Sequence, residues 1–253
     1  MSARADRMPA ATAIIRPPRR RRPGPIGRLA VLAATRPDLA RLRQRLTAPD
    51  ERGDPLFLCR YYPGTPAPEA FGLAGPFMGA PLAAMLLETL AAWGVRRFIF
   101  IGWCGALTSS VQSGDVIVPS GAYAEEGTTR AYGGMAHPVP AVSPGFQAAL
   151  NTHLQKSGID GREGLIWTTD AVFRETADKV CRYRQMGALA VEMELSAFFT
   201  VGRALGIELG AVLVVSDELS TLKWRPGFKS ERFQAARTAV CEAIATYAER
   251  SQP

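Results

Sequence analysis

From residue 28 onward, short apolar runs alternate with longer stretches of helical periodicity, and this alternation constrains the fold more than any other feature. Apolar runs at 29–34, 97–103, 116–119, 164–168, 188–191 and 207–215 read as strands. Periodic stretches at 37–46, 81–93, 144–157, 176–186, 193–205 and 231–250 read as helices, three of them stopped by Gly94, Gly158 and Gly206. Runs at 56–62 and 70–74 flank Pro63-Gly64-Thr65-Pro66, a hairpin signal. Helices of crossover length between strands imply parallel pairing, because a short turn cannot return the chain to the same end of a sheet. The expected fold is therefore α/β, a sandwich whose largely parallel central sheet is covered on both faces. One domain over 28–253 follows a basic, Pro/Arg-rich arm over 1–27. No internal repeat or second domain is visible.

Charge and cysteine usage narrow the function classes. The formal net charge is +7, yet residues 1–60 hold 14 Lys/Arg against 5 Asp/Glu and the remainder holds 16 against 18. The basic character thus belongs to the arm, where Arg16, Arg19, Arg20, Arg21 and Arg22 stand among prolines. Such a segment reads as a solvated, flexible leader. No aromatic residue interleaves with those arginines, which disfavours a nucleic-acid partner. The apolar stretch after them is too short for an export signal, and no run reaches the roughly 18 apolar residues of a spanning helix. Cys59, Cys104, Cys181 and Cys241 are scattered, and His137 and His153 have no partners at metal-ligand spacing. A cytoplasmic protein with reduced thiols and no metal site is expected.

In a parallel sheet, chemistry gathers in the loops at the carboxyl ends of strands. Three such loops carry unusual residues: Gly102-Trp103-Cys104-Gly105, Glu192-Met193-Glu194 and Ser216-Asp217-Glu218. Glu192 and Glu194 are either dipole-favoured acids at a helix N-terminus or a pair of acceptors for a sugar diol, with Met193 as its apolar floor. Asp217, after the most apolar strand, is either a cap or an acid whose pKa is raised by apolar walls. Trp103 between glycines is either core packing or a pocket wall. Gly75-Pro76-Phe77-Met78-Gly79-Ala80-Pro81 is neither a dinucleotide fingerprint nor a P-loop, but its glycines permit close backbone approach.

Taken together, these residues resemble the nucleoside phosphorylase family, which includes purine nucleoside phosphorylases, uridine phosphorylases and methylthioadenosine-type nucleosidases. The likeness rests on Gly75–Gly79, on Phe98-Ile99-Phe100-Ile101-Gly102-Trp103-Cys104-Gly105-Ala106, on Ser113-Gly114-Asp115-Val116-Ile117-Val118, on Val191-Glu192-Met193-Glu194 and on Val215-Ser216-Asp217, in order. It implies a three-layer α/β/α sandwich around a mixed, partly barrelled central sheet. It also implies a homo-oligomer (dimer, trimer or hexamer) acting on a small-molecule nucleoside without a cofactor, with phosphate as the candidate co-substrate. By resemblance, Glu194 holds the ribose hydroxyls with Glu192 assisting, and Met193 and Met78 pack on the sugar. Asp217 protonates a purine base as the glycosidic bond breaks, Arg232 is the candidate for the arginine that orients this acid, and Phe173 lies against the base. The uracil-reading glutamine and arginine are replaced by Thr176 and Asp178, which favours a purine-like base.

The resemblance breaks where phosphate would bind. The family's arginine and its serine or threonine are here Phe100 and Trp103, which offer neither cation nor hydroxyl. The N-terminal phosphate loop is Ala34-Thr35-Arg36-Pro37, leaving Arg36, or Arg52 or Arg60 of a neighbouring subunit, to compensate. The glutamate with which hydrolytic members activate water is absent, with Asp38 the nearest acid. Three readings follow: a glycosidic-bond-cleaving pentosyltransferase with an altered phosphate subsite, a non-catalytic nucleoside binder, and a hydrolase or unusual-substrate member stacking its ligand on Phe100 and Trp103.

Overall fold

The computed structural model describes residues 13–20, 24–67, 69–134, 138–141 and 143–250. Arg21, Arg22 and His137 lie outside them. In chain order the elements are β1 (Leu29–Ala33), α1 (Arg36–Leu46), β2 (Asp54–Leu56), β3 (Cys59–Pro63), β4 (Phe71–Gly75) and α2 (Ala80–Trp93). There follow β5 (Arg97–Ala106), β6 (Val116–Ala124), α3 (Thr128–Ala131), β7 (Val139–Pro140), α4 (Pro144–Lys156) and β8 (Gly161–Thr168). The chain ends with α5 (Ala177–Gln185), β9 (Ala188–Glu192), α6 (Leu195–Leu205), β10 (Glu208–Glu218), β11 (Arg225–Pro226) and α7 (Glu231–Arg250).

The strand order is β11-β10-β6-β8-β9-β5-β1-β4-β3-β2, and β10 also pairs with β5. That extra pairing closes β5, β10, β6, β8 and β9 into a barrel, from which β1, β4, β3 and β2 extend as a wing. The crossover pairs β1–β4, β1–β5, β5–β10, β6–β8 and β8–β9 are parallel. The pairs β5–β9, β6–β10 and β3–β4 are antiparallel. The sheet is thus mixed and partly barrelled, less parallel than periodicity alone implies. Alternate residues of each inner strand enter opposite cores, as the period-2 pleat demands. Leu32, Phe98, Phe100 and Leu213 pack with Leu87 of α2 and Phe198 of α6. Val31, Ile99, Ile101 and Val214 pack with Leu42 of α1, Leu150 of α4 and Val240 of α7. Near-continuous apolar runs in the sequence are the signature of this two-sided burial.

Strands β5, β6 and β10 run past the apolar stretches that mark them in sequence, because closure supplies a ladder partner for the extra residues. The β10–β5 pairing continues to Glu218 opposite Ala106. The turn Phe57-Leu58 closes β2 on β3 in two residues, with Phe57 at φ 58 and Leu58 89% exposed. Part of the arm also lies against the body. Arg20 Nε is 2.7 Å from Asp54 Oδ2, and the Trp93 indole donates to the Pro18 carbonyl at 2.8 Å.

Thr35 caps α1 and bonds reciprocally with Asp38, whose side chain is fully buried. From α7, Arg237 Nε donates to Asp38 Oδ1 at 2.8 Å. Trp103 of β5 donates its indole N–H to Asp38 Oδ2 at 2.6 Å. Three elements therefore meet on one carboxylate. Removing the cation strands a buried charge, so Arg237→Met is expected to cost about 3–5 kcal/mol in urea unfolding. Arg45→Ala removes exposed pairs with Glu242 and Glu249 and is expected to cost no more than about 1 kcal/mol by the same assay.

Candidate active site

A cavity of about 420 Å³ opens where the carboxyl ends of β5, β9 and β10 converge. Its lining includes Trp103, Cys104, Gly105, Val172, Phe173, Glu175, Val191, Glu192, Met193, Ser216, Asp217, Leu219, Trp224 and Phe228. The three sequence loops singled out above therefore come together. Gly105 is needed there, since a Cβ would meet Leu219 Cδ1 at 2.7 Å and Asp217 Oδ2 at 3.2 Å.

Asp217 is neither a helix cap nor a turn cap. It lies on β10 at a register shift between Val215 and Asp217, a bulge that re-aims its side chain. Its Oδ1 accepts from Ser216 Oγ at 2.6 Å and its Oδ2 from the Trp224 indole at 2.9 Å. Arg232 does not orient it. The guanidinium of Arg232 is held by Asp115 and by the Ser113 carbonyl, because the start of α7 packs beside Gly114. Among the described residues, Trp224 and Ser216 are the side chains that hydrogen-bond the Asp217 carboxylate.

Glu192 ends β9 and serves two purposes. Its Oε2 accepts the backbone N–H groups of Glu194 and Leu195 at 2.7 and 2.8 Å, capping α6, while Oε1 accepts from Thr168 Oγ1 at 2.5 Å. The same side chain lines the cavity. Glu194 is also buried; its Oε1 accepts the Gly79 N–H at 2.5 Å, and the Met193 backbone also bonds its carboxylate. Gly79, at φ 86, thus brings the glycine-rich loop onto the carboxylate pair. Glu194 and Met78 stand outside the cavity lining, and Met78 is 73% exposed. Met193 lines the cavity, as does Phe173, which is 98% exposed at its mouth.

The aromatic pair at the altered subsite divides. Phe100 is fully buried, edge-on to Phe77 and Phe198 at 5.7 and 5.6 Å, so no ligand can stack on it. Trp103 is a cavity wall whose polar edge is engaged by Asp38, and the Arg237 guanidinium lies 5.3 Å from its ring. Arg36 is outside this cavity. With Arg43 and Arg60 it lines a separate concavity of about 450 Å³, with no acid among its described lining residues.

Sequence reasoning missed Glu175, Trp224 and Phe228 as lining residues. They come from loops without periodicity, and only the cluster of aromatics between β10 and α7 hinted at a role. Glu175 is pushed up to about 7 by burial first, then by the charges of Asp217 and Glu125. The Cys104 thiol is raised by burial and by Asp217 and Glu192, so it is no thiolate nucleophile.

Glu192 and Glu194 are both held above the ordinary carboxylate range. Burial is the first cause for each, and the Glu194 charge adds to it at Glu192. A carboxyl raised in the native state stabilises the fold fully below its unfolded value, and that contribution is lost as pH climbs through the native value. Stability therefore falls from pH 5 to 8. Glu194→Gln keeps an acceptor for Gly79 but cannot ionise, so it is expected to raise Tm at pH 8 by about 2–5 °C and to flatten the slope in thermal unfolding.

The family model of the Phosphorylase superfamily matches residues 28–251. A guanosine phosphorylase of Halorubrum lacusprofundi is 35% identical over 146 residues, covering 56% of this chain and 58% of that protein. A DeoD-type purine nucleoside phosphorylase of Clostridium novyi is 29% identical over 162 residues, covering 63% of this chain and 69% of that one. The match thus spans less than two thirds of the first relative. The crystal structure of uridine phosphorylase from Vibrio fischeri ES114 superposes with a TM-score of 0.72 at 21% identity, covering 89% of this chain and 93% of that one.

Proposed function

Because the chain belongs to the phosphorylase superfamily, we propose that it cleaves the N-glycosidic bond of a nucleoside with a purine-like base, as the pentosyltransferases of that family do, but with water in place of phosphate as the acceptor. The observation that carries this reading is the placement of Asp217 and Glu192 in one cavity with aromatic walls. Asp217 delivers a proton to the purine as the C1′–N bond breaks, so that the base leaves without negative charge. The sugar becomes oxocarbenium-like, and the carboxylate of Glu192, with Glu194 behind it, stabilises that charge and accepts the ribose hydroxyls. Met193 packs on the ring. Phe173, Trp224 and Phe228 surround the base.

The acceptor half supports water better than phosphate. No lysine, arginine or histidine is among the described residues that line the cavity. Behind Trp103 stands a buried carboxylate, Asp38, already neutralised by Arg237. A phosphate oxygen would find neither fixed cation nor hydroxyl at Phe100 and Trp103. This favours the hydrolytic variant of the same chemistry, with no cofactor. The exposure of Leu58, Met78 and Phe173 supports an assembly in which a second copy covers the hairpin tip and the cavity mouth. A cytoplasmic location accords with four free cysteines, and no described helix is long and apolar enough to cross a membrane.

Release of free base from a nucleoside panel, with and without phosphate, tests the reading. Phosphate-independent release from purine ribosides is expected, and Asp217→Asn is expected to lower kcat at least about hundredfold with binding within a few-fold of wild type. If tight binding occurs with no turnover by either protein, the chain is a binder and the catalytic reading fails.

A further inference from the structure

Behind the cavity-lining carboxylate of Glu192, buried side chains from three parts of the chain form a hydrogen-bonded row. Thr168 ends β8, Ser196 stands in the first turn of α6 and Glu126 follows β6; all three are buried. Thr168 Oγ1 donates to Glu192 Oε1 at 2.5 Å and accepts the Ser196 backbone N–H at 3.0 Å. The Ser196 hydroxyl donates to Glu126 Oε1 at 2.8 Å, and Glu126 accepts the Thr129 N–H on both oxygens. We propose that Thr168 is a positioning residue for glycosidic cleavage, its hydroxyl aiming the one open acceptor position of Glu192 at the sugar. The proposal rests on the glycosidic reading above and names the group that readies its sugar-facing carboxylate.

Counting donors fixes the direction of each bond. A hydroxyl has one proton and two acceptor positions. The Ser196 N–H fills an acceptor position on Thr168, so the Thr168 proton is free for Glu192 Oε1, the acceptor it meets among the described residues. An ionised carboxylate has about four acceptor positions. The N–H groups of Glu194 and Leu195 fill those of Oε2, and Thr168 fills one of Oε1. One position on Oε1 is left, and because Glu192 lines the cavity, a sugar hydroxyl can use it. Without Thr168 that oxygen has two open positions and no fixed orientation. The contact between Ser196 and Glu126 holds the start of α6, and with it this arrangement, against the end of β6.

The groups around Glu192 otherwise oppose its charge. Glu194 at the start of α6 repels it, Cys104 of β5 lies in the fields of both Glu192 and Asp217, and Glu175 lines the same cavity. No basic side chain is among the described lining residues. The hydrogen bonds from Thr168, Glu194 and Leu195 are what favour the ionised form against burial. Thr168 supplies the one among them that comes from a side chain, so it can be removed without touching the backbone.

The test uses the full chain and base release from inosine between pH 5.5 and 9.5, with Tm recorded at each pH. Thr168→Val keeps the side-chain shape and removes the donor, whereas Thr168→Ser keeps the donor. Losing a donor to the ionised form raises the apparent pKa of Glu192, so the rising limb of kcat/KM is expected to move up by about one pH unit in Thr168→Val. Glu175, pushed up to about 7, is untouched by the substitution, so a limb set by Glu175 stays in place. At pH 7 kcat is expected to fall about tenfold to hundredfold with KM within about threefold, because the carboxylate meets positive charge only in the transition state. Thr168→Ser is expected to restore both limb and kcat to within about threefold. Thr168→Cys, with a weak S–H donor, is expected to give an intermediate shift and replaces the valine variant if that protein does not fold. An unmoved limb in the folded valine or cysteine protein, or a serine protein as impaired as either, would overturn the proposal. Wild-type base release with an unmoved limb sinks this inference alone, whereas no binding and no cleavage of any nucleoside by the wild type sinks the glycosidic reading with it.

Discussion

The carboxylate of Asp38 is the point on which the rest of the molecule turns. It lies fully buried and is held by Thr35 of its own helix cap, by Arg237 from the last helix and by the indole of Trp103 from the central strand. A buried charge with three donors and a matching cation has a single acceptable geometry, since any displacement leaves an ion unpaired in low dielectric. α1, α7 and β5 are thereby fixed relative to one another. The same carboxylate decides chemistry, because it fixes the tryptophan that closes one side of the cavity. Stability and specificity here share a group.

Across the cavity the logic is reversed. Glu175, Glu192 and Asp217 line it with no basic side chain among its described lining residues, while Glu194 stands outside the lining with one oxygen engaged by Gly79. Burial raises Glu175, Glu192 and Glu194, and neighbouring carboxylate charges add to it at Glu175 and Glu192, so gathering these acids costs stability that a suitable ligand can return. Such strain is tolerable because the rest of the sheet is buried on both faces and the acids sit at strand ends. Hydroxyl donors and groups that gain positive charge are what meet buried carboxylates favourably.

Much of the architecture is legible from periodicity. The helices over α1, α2, α4, α5, α6 and α7 fall within about two residues of their sequence-derived bounds, because their apolar residues recur at helical spacing and proline or glycine marks an end of most of them. The mixed sheet was less visible, since an apolar run does not reveal the direction of its partner. The antiparallel β5–β9 and β6–β10 pairs arise only from closure. Within the site, Glu192, Met193, Trp103 and Asp217 stand where strand-end loops place them, and Phe173 lies at the mouth. Arg232 was misplaced because its distance from Asp217 depends on how α7 docks. Phe100 was misjudged because strand alternation turns it into the core, on the opposite face from Trp103 three residues on.

The sequence by itself determined the α/β layering, the positions of the strand-end loops and the presence of paired acids there, because these follow from local periodicity and residue type. Only the tertiary structure decided which face each aromatic occupies, that Trp224 and not Arg232 bonds Asp217, and that Glu175 joins the cavity. Those outcomes depend on barrel closure and on a one-residue bulge in β10. Both bring together residues far apart in the chain, and no local pattern records contacts of that kind.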